Sequence, residues 1–197
     1  MKISSCKFTR TALMLGSASL ILGAPSLLAQ DASSGLKTGL YLTPDAGVNL
    51  LSASSSGAPS FDPGLRLDLS TGYAIKLADQ VTLAPELEVG YLYNTWSKQG
   101  ASGHVSQVPV LGNIILNYQF TPNWTIYGGG GAGCDYADAS GGNLNETDFA
   151  WQGEAGIRYA FGSSEIGVGY KYLGFETSHG NTRIDNNAIM ASYTFHF

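Results

Sequence analysis

Residues 64–75 alternate strictly, with Leu65, Leu67, Leu69, Tyr73 and Ile75 on one side and Arg66, Asp68, Ser70, Gly72 and Ala74 on the other. A period of two is the signature of a β-strand whose faces meet different surroundings. Residues 81–93 repeat it, setting Val81, Leu83, Pro85, Leu87, Val89, Tyr91 and Tyr93 against Thr82, Ala84, Glu86, Glu88, Gly90 and Leu92. Residues 149–161 set Phe149, Trp151, Ala155, Ile157, Tyr159 and Phe161 against Ala150, Gln152, Glu154, Gly156, Arg158 and Ala160. The chain closes in the same phase, with Tyr193, Phe195 and Phe197 opposite Ser192, Thr194 and His196.

Extended along the chain, this period predicts eight strands, at 39–51, 64–75, 81–93, 107–120, 124–136, 149–161, 165–173 and 185–197. Each reaches the roughly 9 to 11 residues that a tilted strand needs to cross a bilayer. The connections alternate in length. Tight turns rich in turn-forming residues are predicted at 76–80, 121–123 and 162–164, and Ser-, Gly-, Asn- and Asp-rich loops at 52–63, 94–106, 137–148 and 174–184. An even strand number with short turns at one end and longer loops at the other is the topology of an outer-membrane barrel, which puts both termini on the periplasmic side.

Soluble lipocalin-like and streptavidin-like barrels also have eight antiparallel strands. The direction of the apolar face separates the two. Here that face is bulky, continuous and rimmed by aromatics: Trp124, Tyr118, Tyr73 and Tyr159 towards the turn end, Tyr93 and Trp151 towards the other. Such girdles suit the two membrane interfaces and have no purpose around a soluble barrel. The fold class expected is all-β, an eight-stranded antiparallel up-and-down transmembrane β-barrel over residues 39–197, preceded by a short periplasmic segment at 30–38.

The charged residues Asp45, Arg66, Asp68, Glu86, Glu88, Asp135, Glu154, Arg158 and Lys171 all fall in phase with the polar face. Turned towards lipid, an Arg or Lys near the midplane costs about 2–4 kcal/mol. Turned inward they can pair, which predicts a lumen ion-pair network of Arg66, Asp68, Glu86, Glu88, Glu154, Arg158 and Lys171. Eight strands enclose an interior just wide enough to be filled by side chains. A charge-lined pore is the alternative.

Lys2, Lys7 and Arg10, the apolar stretch 11–24 and Leu27-Leu28-Ala29 form the three regions of a secretory signal peptide, expected over residues 1–29. Its loss removes three of ten basic residues and no acidic one, moving the formal charge from −5 to −8. So acidic a chain argues against a nucleic-acid partner. Of the two cysteines Cys6 leaves with the leader, and the mature chain, with Cys134 alone, is expected to have no internal disulfide.

Three local motifs remain. The run Gly128-Gly129-Gly130-Gly131-Ala132-Gly133 is not followed by Lys-Ser or Lys-Thr, so it does not read as a phosphate loop. In a barrel strand it leaves room for large neighbours. Pro109 predicts a bulge or an unpaired position. Asn145-Glu146-Thr147 matches a glycosylation sequon that a bacterial setting makes accidental, and neither His179 nor His196 has ligand-spaced neighbours, so no metal or cofactor is expected.

The signal peptide, the eight amphipathic strands, Val108-Pro109-Val110-Leu111-Gly112-Asn113, Trp124-Thr125-Ile126-Tyr127 with its glycine run, and the terminal Tyr193-Thr194-Phe195-His196-Phe197 together resemble the outer-membrane β-barrel domain family of small OmpA-like and opacity-type surface proteins. The resemblance covers nearly the whole mature chain and carries no catalytic identity. It implies a structural or surface-interaction role, contact with outer-membrane lipid and lipopolysaccharide, and recognition of Tyr193, Phe195 and Phe197 by the barrel assembly machinery. A narrow passive porin is the first alternative. The second is a lipid-modifying enzyme, since His104-Val105-Ser106 is similar to the His-x-Ser of a lipid A deacylase, in which imidazole activates a hydroxyl. The Asn-containing continuation is missing, as Gln107-Val108 follow, and no orienting acid can be assigned.

Overall fold

The computed structural model describes residues 35–54, 59–98, 101–140, 144–176 and 183–197. The predicted leader, most of the segment 30–38 and His179 lie outside them. Eight long strands form the wall: β1 Gly39–Ser54, β2 Gly64–Ala78, β3 Val81–Lys98, β4 Ala101–Gln119, β5 Trp124–Ala139, β6 Leu144–Phe161, β7 Ser164–Glu176 and β8 Arg183–His196. A two-residue strand, Ser60–Phe61, pairs with Ser97 and Trp96 at the rim of β3. Each long strand pairs antiparallel with its successor, and β8 pairs with β1 from Tyr41↔His196 to Ser54↔Arg183, so the sheet closes. Closure leaves no long edge unpaired, the condition for a sheet in lipid.

Register sets the width of the interior. Successive cross-strand partners lead from Tyr41 through Gly72, Glu86, Asn113, Gly131, Gln152, Leu173 and Asn186 back to β1 at Leu51, ten residues beyond the start. That stagger over eight strands tilts them by roughly 40° and leaves a narrow core.

The alternation sorts residues inside-out relative to a water-soluble protein. Arg66 and Glu88 are 0 % exposed and Lys171 2 %, whereas Leu69 is 51 %, Leu87 55 % and Ile189 66 % exposed on the outer surface. Trp124 meets Tyr159 edge-on, and Phe161, Tyr193 and Phe195 form a continuous aromatic set at the turn end. Trp151 and Tyr172 pack together towards the opposite rim. An apolar belt between aromatic girdles is the outer surface of a membrane barrel.

Two of the three turns are tighter than expected, whereas that at 120–123 is one residue longer. Asp79 and Gln80 join β2 to β3 after a register shift between Lys76 and Ala78, and Gly162 and Ser163 join β6 to β7. Gly162 has φ +58°, a conformation that favours glycine. At the other end the described residues of the predicted long loops are largely strand: pairing continues to Lys98↔Ala101, Ala139↔Leu144 and Glu176↔Arg183. The end asymmetry is therefore one of strand overhang. Ser, Gly, Asn and Asp there break the apolar alternation, but hydrogen bonding between neighbouring strands sustains a ladder without it. Residues Asn145, Glu146 and Thr147 belong to β6, inside this overhang.

Pro109 makes no bulge. The β3–β4 pairing keeps one register but is interrupted between Val89↔Val110 and Leu92↔Gln107, so Pro109 is unpaired on its β3 side, opposite Gly90, while it faces Asp135 of β5 on the other. Cys134 lies on β5, and the other cysteine, Cys6, lies in the predicted leader, outside the described residues.

Candidate functional site

The interior is layered. Tyr41, Ala74, Ala84, Ile115 and Tyr127 form an apolar cluster on the turn side, and Leu92, Leu111, Ala150, Leu173 and Phe175, with Ile184 against them, form a second towards the overhanging rim. Between these clusters several strands turn polar residues inward, Glu86 and Glu88 between Ala84 and Leu92 and Asn113 between Leu111 and Ile115, while β5 contributes glycines and β8 Ala188 and Met190. A charged belt is thus held between two apolar layers.

Within the belt Lys171 Nζ donates to Asp45 Oδ2 at 2.8 Å, Asp68 Oδ2 at 3.0 Å and Glu88 Oε2 at 2.9 Å, and stands 3.9 Å from Glu154. Arg66 donates through Nε to Asp68 at 2.8 Å and through Nη2 to Glu88 at 3.1 Å and Gln152 Oε1 at 2.6 Å. Glu86 is served by neutral donors, the Tyr41 hydroxyl at 2.9 Å and Asn113 Nδ2 at 3.3 Å. Strongly desolvated pairs of this kind contribute to stability only when the remaining polar atoms are also satisfied. Their removal one partner at a time is costly.

Of the seven residues predicted for the lumen network, six share this belt. Arg158 lies on the turn side of the first apolar layer. Its guanidinium sits 3.9 Å from the centre of the Tyr127 ring and donates to Asn117 Oδ1 at 3.1 Å. There it lines a small cavity of about 20 Å³ with Glu165, Thr194 and His196, room for about one water molecule. His196 Nε2 lies 3.2 Å from Glu165 in the same chamber.

Two groups escaped the sequence reading. Asn49, from β1, donates its Nδ2 to Asn94 Oδ1 at 2.7 Å and Asn186 Oδ1 at 2.9 Å, joining three strands at the level of the second apolar layer, where Asn186 pairs with Leu173. Asn113, donating to Glu86 and Glu88, and Gln152, accepting from Arg66 and donating to Glu88, complete the belt as neutral bridges. Their signal in the sequence was only their inward phase.

The glycine run supplies the space for the belt. A Cβ on Gly131 would stand 2.0 Å from Asn113 Oδ1, and one on Gly133 2.9 Å from Leu111 Cα. Gly131→Ala is therefore expected to overpack the lumen and lower stability by about 1–3 kcal/mol. Urea titration of the folded barrel, followed by tryptophan fluorescence, measures it; an unchanged midpoint would show that the strand has slack there.

At the overhanging rim the structure joins His104 to Ser140, not to Ser106, among the described residues. His104 Nδ1 and Ser140 Oγ are 2.9 Å apart, the His104 backbone N–H donates to the same Oγ at 2.8 Å, and the ring stacks on Tyr93 with centres 5.4 Å apart. This arrangement braces the β4–β5 hairpin. The terminal Phe195 and Phe197 are exposed on the outer surface and Tyr193 is half-buried between Phe161 and Phe195.

Comparison with known proteins agrees with this architecture. Residues 17–197 match the family described as outer membrane protein beta-barrel domain. Among solved structures, Neisserial surface protein A is similar at 19 % identity and TM-score 0.59, with 82 % of this chain and 99 % of that chain covered. Ail, the attachment invasion locus protein of Yersinia pestis, solved with the heparin analogue sucrose octasulfate, is similar at 12 % identity and TM-score 0.52, covering 81 % and 100 %. OprG of Pseudomonas aeruginosa is similar at 14 % identity and TM-score 0.52, covering 84 % and 99 %. At these identities the likeness is one of fold. No curated protein sequence matches the chain.

Proposed function

The chain belongs to the outer membrane protein beta-barrel domain family, and from that premise we propose that it works in the bacterial outer membrane as a closed-lumen barrel with a structural and surface-presenting role. The observation that carries this reading is the filled interior: a charged belt bridged across strands and bounded on both sides by apolar side chains. An ion or sugar crossing it would have to displace Tyr41 and Tyr127, then break the Lys171 and Arg66 pairs, then part the Leu92, Leu173 and Phe175 layer. The interior charges are thus struts, holding strands that have little width for ordinary core packing.

The remaining parts follow the same reading. The 1–29 segment exports the chain, the termini and tight turns face the periplasm, and the overhanging strands stand in the lipopolysaccharide layer. Tyr193, Phe195 and Phe197 present the aromatic pattern for assembly, with their rings already on the lipid side. The braced His104–Ser140 pair favours a rim stiffener over a hydrolase, because the hydroxyl is tied to a backbone N–H of its own hairpin.

Purified barrel in a planar bilayer is expected to show no stable open-channel steps at physiological salt. A reproducible single-channel conductance, changed by Lys171→Ala, would replace this reading with that of a narrow porin.

A further inference from the structure

Arg158 is unlike the other two cations buried in the described interior. Arg66 and Lys171 each hold at least two carboxylates within 3.1 Å. Arg158, 8 % exposed, has no carboxylate within ion-pair distance among the described residues. Its guanidinium is met instead by the Tyr127 ring and by the carboxamide oxygen of Asn117, both of them neutral. Buried arginine ordinarily has an anionic partner, because a desolvated charge left uncompensated is costly. Glu165 shares the chamber, but its Oε2 is turned to His196 Nε2 at 3.2 Å.

The space beside Arg158 fits the partner that the chain does not supply. The chamber of about 20 Å³ exceeds the roughly 10–15 Å³ that one water molecule requires, which leaves room for a slightly larger sphere. Thr125 lines it and stands directly opposite Arg158 across the β5–β6 ladder. The Thr125 hydroxyl makes no hydrogen bond with a described residue, although the side chain is buried. Lys37 adds a wall from the N-terminal segment, strapped there by a hydrogen bond from Nζ to the Gly162 carbonyl. Lys37 and Arg158 against Glu165 leave the lining with one positive charge in excess.

We propose that the chamber binds one small monovalent anion, of the size of chloride, between the Arg158 guanidinium and the Thr125 hydroxyl. A guanidinium and a hydroxyl are both donors, and a charge-assisted hydrogen bond to an anion satisfies the two together. Water serves the hydroxyl but leaves the charge. Phosphate and sulfate carry four oxygens and more charge than the excess, so they exceed the site in both respects. The bound anion ties the N-terminal segment to β5 and β6 at the periplasmic mouth. The site lies on the turn side of the first apolar layer, so its occupancy does not depend on whether the lumen conducts.

Chloride NMR of the folded barrel in uncharged detergent micelles is the test, at constant ionic strength. The expected result is saturable line broadening from one site per barrel, reversed by bromide and not by sulfate. Arg158→Gln is expected to abolish the saturable part. Thr125→Val, which keeps the shape and removes the hydroxyl, is expected to weaken binding about tenfold, the range for a hydrogen bond to a charged group. Lys76→Gln, which removes an exposed charge beside the Asp79–Gln80 turn, leaves the broadening unchanged. Should Arg158→Gln fail to fold, judged by heat-modifiable gel migration, Thr125→Val decides. Folded wild type without saturable broadening overturns the proposal, and equal binding by wild type and Thr125→Val overturns the site in favour of loose pairing at the surface.

Discussion

Lys171→Met is expected to destabilise the barrel by about 3–5 kcal/mol, the range for removing one partner from a buried charge cluster. The ammonium is 2 % exposed and is shared by Asp45, Asp68 and Glu88 within 3.0 Å. Methionine keeps most of the volume, so the loss is electrostatic and not a cavity. Of the three acids, Asp68 and Glu88 keep Arg66, whereas Asp45 Oδ1 already has no partner among the described residues. Asp45→Asn in the Lys171→Met background is accordingly expected to return part of the loss, about 1–2 kcal/mol, by removing the most isolated of the stranded charges. Urea titrations of wild type, both single variants and the double variant in lipid vesicles give the coupling directly. Additive effects would mean that the two side chains do not sense one another, and a harmless Lys171→Met would mean that the belt is solvated.

The outcome for Arg158 explains what the sequence could and could not reveal about this interior. Phase along a strand tells which face a residue occupies, and Arg66, Asp68, Glu86, Glu88, Glu154, Arg158 and Lys171 all occupy the inner face. Phase does not tell height. Height depends on the register between neighbouring strands, which brings Tyr127 of β5 beside Arg158 while Glu154, four residues away on the same strand β6, faces Lys171. The Asn49, Asn94 and Asn186 cluster is hidden for the same reason, since its members are separated by 45 and 137 positions and meet only through register. The membrane-facing surface was far more legible: it requires only that Leu65, Leu67 and Leu69 share a side, whatever their neighbours. The overhang was the least legible part, because a ladder outside the apolar belt is held by backbone groups that every residue carries.

That outer surface yields the sharpest test of the membrane fold itself. Leu69 is 51 % exposed midway along β2, flanked across the sheet by Pro44 and Val89, and both of its chain neighbours, Asp68 and Ser70, are buried. Leu69→Arg is expected to cost about 2–4 kcal/mol in lipid vesicles, because the guanidinium is held near the bilayer midplane with no inward route for its side chain. Leu77→Arg, on the same face but beside the Asp79–Gln80 turn, is expected to cost about 0–1 kcal/mol, since a charge there reaches the interface. Urea-dependent folding of the two variants into vesicles supplies the comparison, and the quantity that matters is the difference between them. A water-facing surface would accept arginine at both positions with equal ease. Equal costs would therefore remove the apolar belt as the reason for the alternation, whereas a gradient that falls from Leu69 to Leu77 ties the period-two pattern of the chain to depth in the bilayer.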